Sequence, residues 1–123
     1  METEGEEGCV AVPVLSKEEA LSRLGNDLEL YNEILTVFLK EFPLQVDTIK
    51  KCFESNHLPL LEQESHSLKG ASANVGADAV AQIAAKIEMS AKAEKWEVAK
   101  AFLPELEKES DRLFEYLKKH CIR

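Results

Sequence analysis

Apolar residues recur every three or four positions along most of the chain. Between Tyr31 and Phe53 the series Tyr31, Leu35, Phe38, Phe42, Val46, Ile49, Phe53 advances in steps of 4, 3, 4, 4, 3 and 4. That is the spacing of one helix face. Pro43 falls inside the series, removing one backbone hydrogen bond and crowding the carbonyl of Leu39. Because the stripe keeps its phase across Pro43, one bent helix is predicted rather than two. Ahead of it, Ser16-Lys17-Glu18-Glu19 has the S-x-x-E form of a capping box. It opens a short helix carrying Leu21 and Leu24, which Gly25 ends. Asn26-Asp27-Leu28-Glu29 offers a second cap of the N-x-x-E form.

Downstream, Ser55-Asn56-His57 breaks the pattern, and Pro59 suits the first turn of a new helix, where a missing N–H is harmless. That helix is predicted to run to about Asn74 and to stop at Gly76. A fourth covers about Asp78 to Ala93, with Val80, Ile83 and Ile87 inward. The last spans about Trp96 to His120, with Ala99, Leu103, Leu106, Leu113 and Leu117 inward and a bend expected at Pro104. Residues 1–15 lack helical periodicity. They read as a flexible acidic tail in which Val12, Val14 and Leu15 are the positions able to pack on the domain. Short connections favour antiparallel neighbours. The expected fold is all-α: an antiparallel up-and-down four-helix bundle with a short additional N-terminal helix, forming one domain over 16–123.

Composition agrees and narrows the classes. Of 123 residues, 45% are hydrophobic and 31% charged, which fits a globular chain and excludes general disorder. With 5 Gly and 4 Pro there is little turn material for a many-stranded β fold. The formal charge of −8 argues against nucleic acid as a partner, since that binding begins by neutralising phosphates. No apolar run approaches the roughly 18 residues of a membrane span. The acidic start does not resemble a secretory signal, so a cytoplasmic location without membrane insertion is expected. Cys9, Cys52 and Cys121 are odd in number and form no C-x-x-C pair, which suggests neither a disulfide framework nor a zinc site.

Candidate chemistry lies on the helix starting near Leu58. On a wheel at about 100° per residue with His66 at zero, Lys69, Gly70 and Ala73 fall within about 60° of it, as do Pro59, Glu62 and Gln63. Leu61, Leu68 and Val75 lie on the opposite, core-facing side. His66 is therefore expected on the solvent face, beside a lysine and two very small residues. Glycine inside a helix costs roughly 1 kcal/mol against alanine. Its presence next to an exposed histidine suggests that something large must approach. Neutral imidazole, with an ordinary pKa of about 6.5, is a good nucleophile at neutral pH. Lys69 is able to neutralise an anion held near the ring without itself reacting. A phosphoryl group is such an anion, needing positioning and charge stabilisation more than covalent machinery.

The segment Ser65-His66-Ser67-Leu68-Lys69-Gly70-Ala71-Ser72-Ala73-Asn74-Val75-Gly76 closely resembles the histidine-containing phosphotransfer signature, H-x-L-K-G-x5-G. The preceding long helix with a central proline and the following Ala-rich helix ending in Ile87-Glu88 also match. The resemblance covers roughly residues 16–120. It implies an all-α bundle acting as a phosphorelay intermediate of two-component signalling. His66 would accept a phosphoryl group from a receiver-domain aspartate and pass it to another receiver. Lys69 would give electrostatic support, Gly70 steric clearance, and Glu62, Gln63 and Ala73 contacts to the partner. The implied partners are receiver (response regulator) domains and a hybrid sensor histidine kinase. The chain would be a monomeric phosphocarrier without kinase activity, with no cofactor of its own; Mg²⁺ is expected in the partner receiver. Two positions depart from the family pattern. Ser65 stands where alanine is usual, and its hydroxyl is able to bond back to a helix carbonyl. Glu64 falls near the buried side, so it must reach the bundle edge or find a basic partner. Val75, in place of the usual aromatic, and the lack of a later Thr-His segment point away from the chemotaxis-kinase type of the domain.

Plainer readings cover the other residues. His57 reads as a helix-start residue and His120 as a C-terminal one suited to the helix dipole. The spacing of the three histidines fits no metal site. Phe38, Phe42, Phe53 and Phe102 are core candidates, and Trp96 is either core or a cap on the bundle end. The alternative function is a non-catalytic helical-bundle adaptor that binds a signalling partner without carrying phosphate. A hydrolytic enzyme comes third, since it would need a further polar group beside His66 than Glu62, Gln63 and Lys69.

Overall fold

A computed structural model describes residues 15–120, apart from the side chain of His120. The expectations for residues 1–14, Cys9, Val12, Val14, Cys121 and the His120 side chain lie outside the described residues. Among the described residues six helices follow in order: α1 (Lys17–Arg23), α2 (Leu28–Ser55), α3 (Leu58–Val75), α4 (Asp78–Lys92), α5 (Trp96–Ala101) and α6 (Leu103–His120). No strand occurs among the described residues. The four long helices, α2, α3, α4 and α6, form the bundle, each packed on the next and α6 closing back on α2.

The predicted stripe of α2 is its buried face: Tyr31, Leu35, Phe38, Phe42, Val46, Ile49 and Phe53 are all in the core, with Cys52 beside them. The helix continues through Pro43 as one 28-residue element. Pro43 is exposed, so its ring lies on the side open to water, and the carbonyl that loses its N–H partner is that of Leu39, one turn earlier. Its N-terminus is capped by Asp27, whose carboxylate accepts from the Leu30 N–H at 3.0 Å. The predicted cap was Asn26, one residue earlier. Asn26 instead adopts a left-handed φ of 62°, a conformation asparagine tolerates in turns, and this delivers Asp27 to the cap.

Two further boundaries differ from the sequence prediction. Ser16 opens α1 but makes no side-chain cap; its Oγ donates to Asp78 Oδ2 at 2.7 Å and its N–H to the Gly76 carbonyl at 2.7 Å. The segment that would have been a local capping box therefore ties the start of α1 to the α3–α4 turn. Gly76, at φ 84°, ends α3 as expected, and a Cβ there would lie 2.5 Å from the Ser16 carbonyl oxygen, so the turn requires glycine twice over. The predicted last helix is two helices. The break falls at Phe102, and Pro104 stands in the first turn of α6 rather than bending one rod. Proline is pre-organised for a first turn and lacks a donor there. Ala99, Leu106, Leu113 and Leu117 are buried as expected, while Leu103 and Phe102 are partly buried. Trp96 is half-buried, packing on Phe53 with ring centroids 5.0 Å apart.

Candidate functional site

The site is built where α3 crosses α4. On α3 the core side is held by Leu61, Leu68 and Val75, all fully buried. His57 caps the helix start, its Nδ1 accepting from the Leu60 N–H at 3.2 Å. Ser65 is buried and its Oγ donates back to the Leu61 carbonyl, which satisfies the hydroxyl without a partner from another helix. Glu64 is half-buried at the bundle edge. With the apolar side fixed in this way, His66 is turned outward, its side chain 66% exposed.

His66 is not alone. Its Nδ1 lies 2.8 Å from Oε2 of Glu88 on α4. The other oxygen of Glu88, Oε1, takes Lys69 Nζ at 2.7 Å, and Lys92 Nζ stands 3.6 Å from Oε2. The Glu88 side chain is 4% exposed, whereas Lys69 and Lys92 are 38% and 59% exposed. A buried carboxylate thus sits under three surface groups that carry or accept protons. Burial pulls the Glu88 carboxyl upward, but hydrogen bonds and positive charge from Lys69 and His66 outweigh it, leaving it below its usual value. Glu88 is therefore ionised at neutral pH and acts purely as an acceptor. Facing that acceptor, Nδ1 is the donor, so in the uncharged form of the ring the other nitrogen, Nε2, carries the lone pair.

Sequence reasoning placed one cation and no inward carboxylate at this face; the structure adds Glu88 and Lys92. A signal was present. Glu88 continues the face of Ala81, Ala84 and Ala91, all buried with it, and an acid at such a position needs cationic partners.

His66 opens onto a hollow of about 430 Å³ between the two helices. Pro59, Glu62, Gln63 and Ser67 line it from α3, with Glu88 and Lys92 from α4. Glu62 and Gln63 thus gather with His66 as predicted. Lys69 reaches Glu88 from outside this lining. Gly70 is exposed, one turn on from His66, and a Cβ built there would meet nothing within 4 Å. No neighbour inside the fold demands glycine at that position. Ala73 is half-buried and lies toward α1, its carbonyl accepting from Arg23 Nη2 at 2.6 Å, so it does not line the hollow. Among the described residues no group of three or more His, Cys, Asp or Glu is placed to hold a metal ion, and no helix is long and apolar enough to cross a membrane.

Comparison with known proteins gives consistent findings. The family model of the Hpt domain matches residues 33–116. The chain is 32% identical over 85 residues to the phosphorelay intermediate protein rdeA of Dictyostelium discoideum. That match takes in 69% of this chain but 34% of the relative, so the chain spans about a third of its length. The fold resembles the crystal structure of the HPT domain from the Hpt sensor hybrid histidine kinase of Shewanella, with a TM-score of 0.69. That alignment covers 88% of this chain and 97% of the other at 21% identity, which speaks for the fold alone.

Proposed function

The chain belongs to the Hpt domain family, and on that premise we propose that it is a phosphorelay intermediate, taking a phosphoryl group onto His66 from a receiver-domain aspartate and passing it to another receiver. The observation that carries this reading is the pairing of an exposed imidazole, through Nδ1, with a buried ionised carboxylate. Glu88 fixes the Nδ1–H tautomer and makes Nε2 the nucleophile.

The transfer then follows. The Nε2 lone pair attacks phosphorus in line with the aspartyl oxygen. The Nε2–P bond forms as the P–O bond breaks, and that electron pair leaves with the aspartate carboxylate. The Nδ1 proton stays on the ring, which becomes formally cationic and is held against Glu88. Passing the group on is the same step reversed. Lys69 anchors Glu88 and places positive charge beside the ring. Gly70 keeps the approach clear, since the space its missing side chain leaves is outside the molecule. Glu62, Gln63 and Ala73 are proposed contacts for the docked partner, a receiver domain or a hybrid sensor histidine kinase carrying one. The chain is then a phosphocarrier rather than a kinase, and the Mg²⁺ of the reaction is supplied by the receiver.

Incubation with a phosphorylated cognate receiver tests this. Label is expected on His66, labile in acid and stable in base, and absent from His66→Gln, whose helical circular dichroism should match the parent. Label persisting in that variant overturns the assignment. A receiver that binds tightly and leaves no label would favour the adaptor instead.

A further inference from the structure

The face of α2 turned away from the core is not wholly polar. Val37 is 54% exposed. With Ile34, Phe38 and, across on α3, Ala71 it lines an open groove of about 360 Å³. No residue lines both this groove and the hollow beside His66. Ala71 directly follows Gly70, and the exposed Asn74 lines the groove as well, so it opens on the side of α3 that the proposed receiver approaches. An apolar groove open to water marks an interaction surface. Glu33 and Glu41, both exposed, also line it. They stand four residues either side of Val37, so a second copy paired symmetrically on this face would bring carboxylates together. The groove suits an uncharged apolar segment instead.

The chain itself supplies one. Leu15 packs against the core, and the Ser16 N–H donates to the Gly76 carbonyl at 2.7 Å, two residues past Asn74. The residues just ahead of this point, Cys9-Val10-Ala11-Val12-Pro13-Val14, are uncharged, and Glu2, Glu4, Glu6 and Glu7 lie further out. Pro13 disfavours the helical region for Val12, and in an extended segment Val10, Val12 and Val14 project from one side. From Val10 to Val14 such a segment spans about 13 Å, and the α2 wall from Glu33 to Glu41 rises about 12 Å. We propose that residues 10–14 dock along this groove as an extended strap, the three valines inward, and that an incoming receiver must displace them. The docking stands on the groove and the segment; its consequence for transfer rests on the phosphotransfer reading.

The test uses the full 123-residue chain with ¹³C-labelled Ile, Val and Ala methyl groups. Nuclear Overhauser cross-peaks are expected between the methyls of Val12 and those of Ile34, Val37 and Ala71, within one chain and at every protein concentration. Val12→Asp should abolish them and shift the three groove methyls, whereas Ala11→Ser, on the outward side, should leave those methyls as in the parent. A buried valine is worth about tenfold or more in an equilibrium constant, so the variant strap should be largely released. Phosphorylated cognate receiver at limiting concentration should then label His66 about three- to fivefold faster in Val12→Asp than in the parent. Missing cross-peaks, with groove methyls indifferent to Val12→Asp, would overturn the docking. Cross-peaks found only between labelled and unlabelled copies would overturn it too, assigning the groove to a second copy. Docking with equal labelling rates in parent and variant would overturn the competition with the receiver. Docking with no label on His66 in either chain would uphold the strap and strike at the phosphotransfer reading itself.

Discussion

Replacing Glu88 by glutamine keeps the shape of the side chain and removes its charge. The structure allows the consequence to be sized. Glu88 is nearly inaccessible and makes two close contacts, to Lys69 at 2.7 Å and His66 at 2.8 Å. Both partners are substantially exposed, so each contact is discounted to the roughly 0.5–0.7 kcal/mol of a partly screened pair. Glutamine adds a penalty, for Lys69 and His66 use different oxygens of Glu88, and an NH₂ in place of one of them faces a donor. A buried donor without an acceptor costs at least about 1 kcal/mol. The sum is about 2 kcal/mol, or a melting temperature lower by roughly 8 °C in a domain of this size. The pH dependence has a definite sign. The Glu88 carboxyl lies below its usual value of 4.5 in the folded chain. Its stabilisation is therefore fully present above the unfolded value and is lost as pH falls through the lower folded one. Urea titrations at neutral pH and in steps down to about pH 3 should show a parent–variant gap that is constant above about pH 5 and closes below 4.5. Phosphoryl uptake should slow about tenfold, because the ring loses the group that fixes its tautomer. A gap under about 0.5 kcal/mol at neutral pH, or one that widens on acidification, would show that Glu88 is not the buried anchor described.

Lys69→Ala should slow phosphoryl transfer and lower stability by about 0.5–1 kcal/mol in urea unfolding, more than an ordinary surface change, because it leaves Glu88 with one close partner; unchanged kinetics would mean a merely structural lysine. Gly70→Leu should raise helix stability by about 0.6–0.8 kcal/mol, since nothing inside the fold opposes a side chain there, yet block labelling by a phosphorylated receiver; labelling at the parental rate would show that glycine is not a clearance device. Phosphate on isolated His66 should persist equally with and without EDTA and move only when receiver and Mg²⁺ are both added; rapid Mg²⁺-dependent loss without a receiver would reveal hydrolysis by the chain itself. Cys52 is buried and its thiol is pushed up by burial and the charge of Glu64, so mass spectrometry should find it alkylated by iodoacetamide only once the chain unfolds; rapid native labelling would contradict its place in the core.

Much of the architecture was legible before any coordinates. The α2 stripe from Tyr31 to Phe53, the stop at Gly76 and the outward turn of His66 all follow from periodicity, because burying one face of a helix is a repeated requirement that repeats in the chain. The H-x-L-K-G spacing placed His66, Lys69 and Gly70 together for the same reason, being neighbours on one helix. Helix ends were less legible. Ser16 had the form of a local cap, but its hydroxyl is bound by Asp78, 62 residues away. Asn26 yielded the α2 cap to Asp27, and the last helix divided at Phe102, because such boundaries are settled between conformations of nearly equal local energy by packing against other helices. What lies beneath His66 was decided by tertiary structure alone. Glu88 is 22 residues from His66 in the chain. Only the crossing of α3 over α4 brings its carboxylate beneath His66, Lys69 and Lys92 and buries it there, 2.8 Å from Nδ1 of the ring.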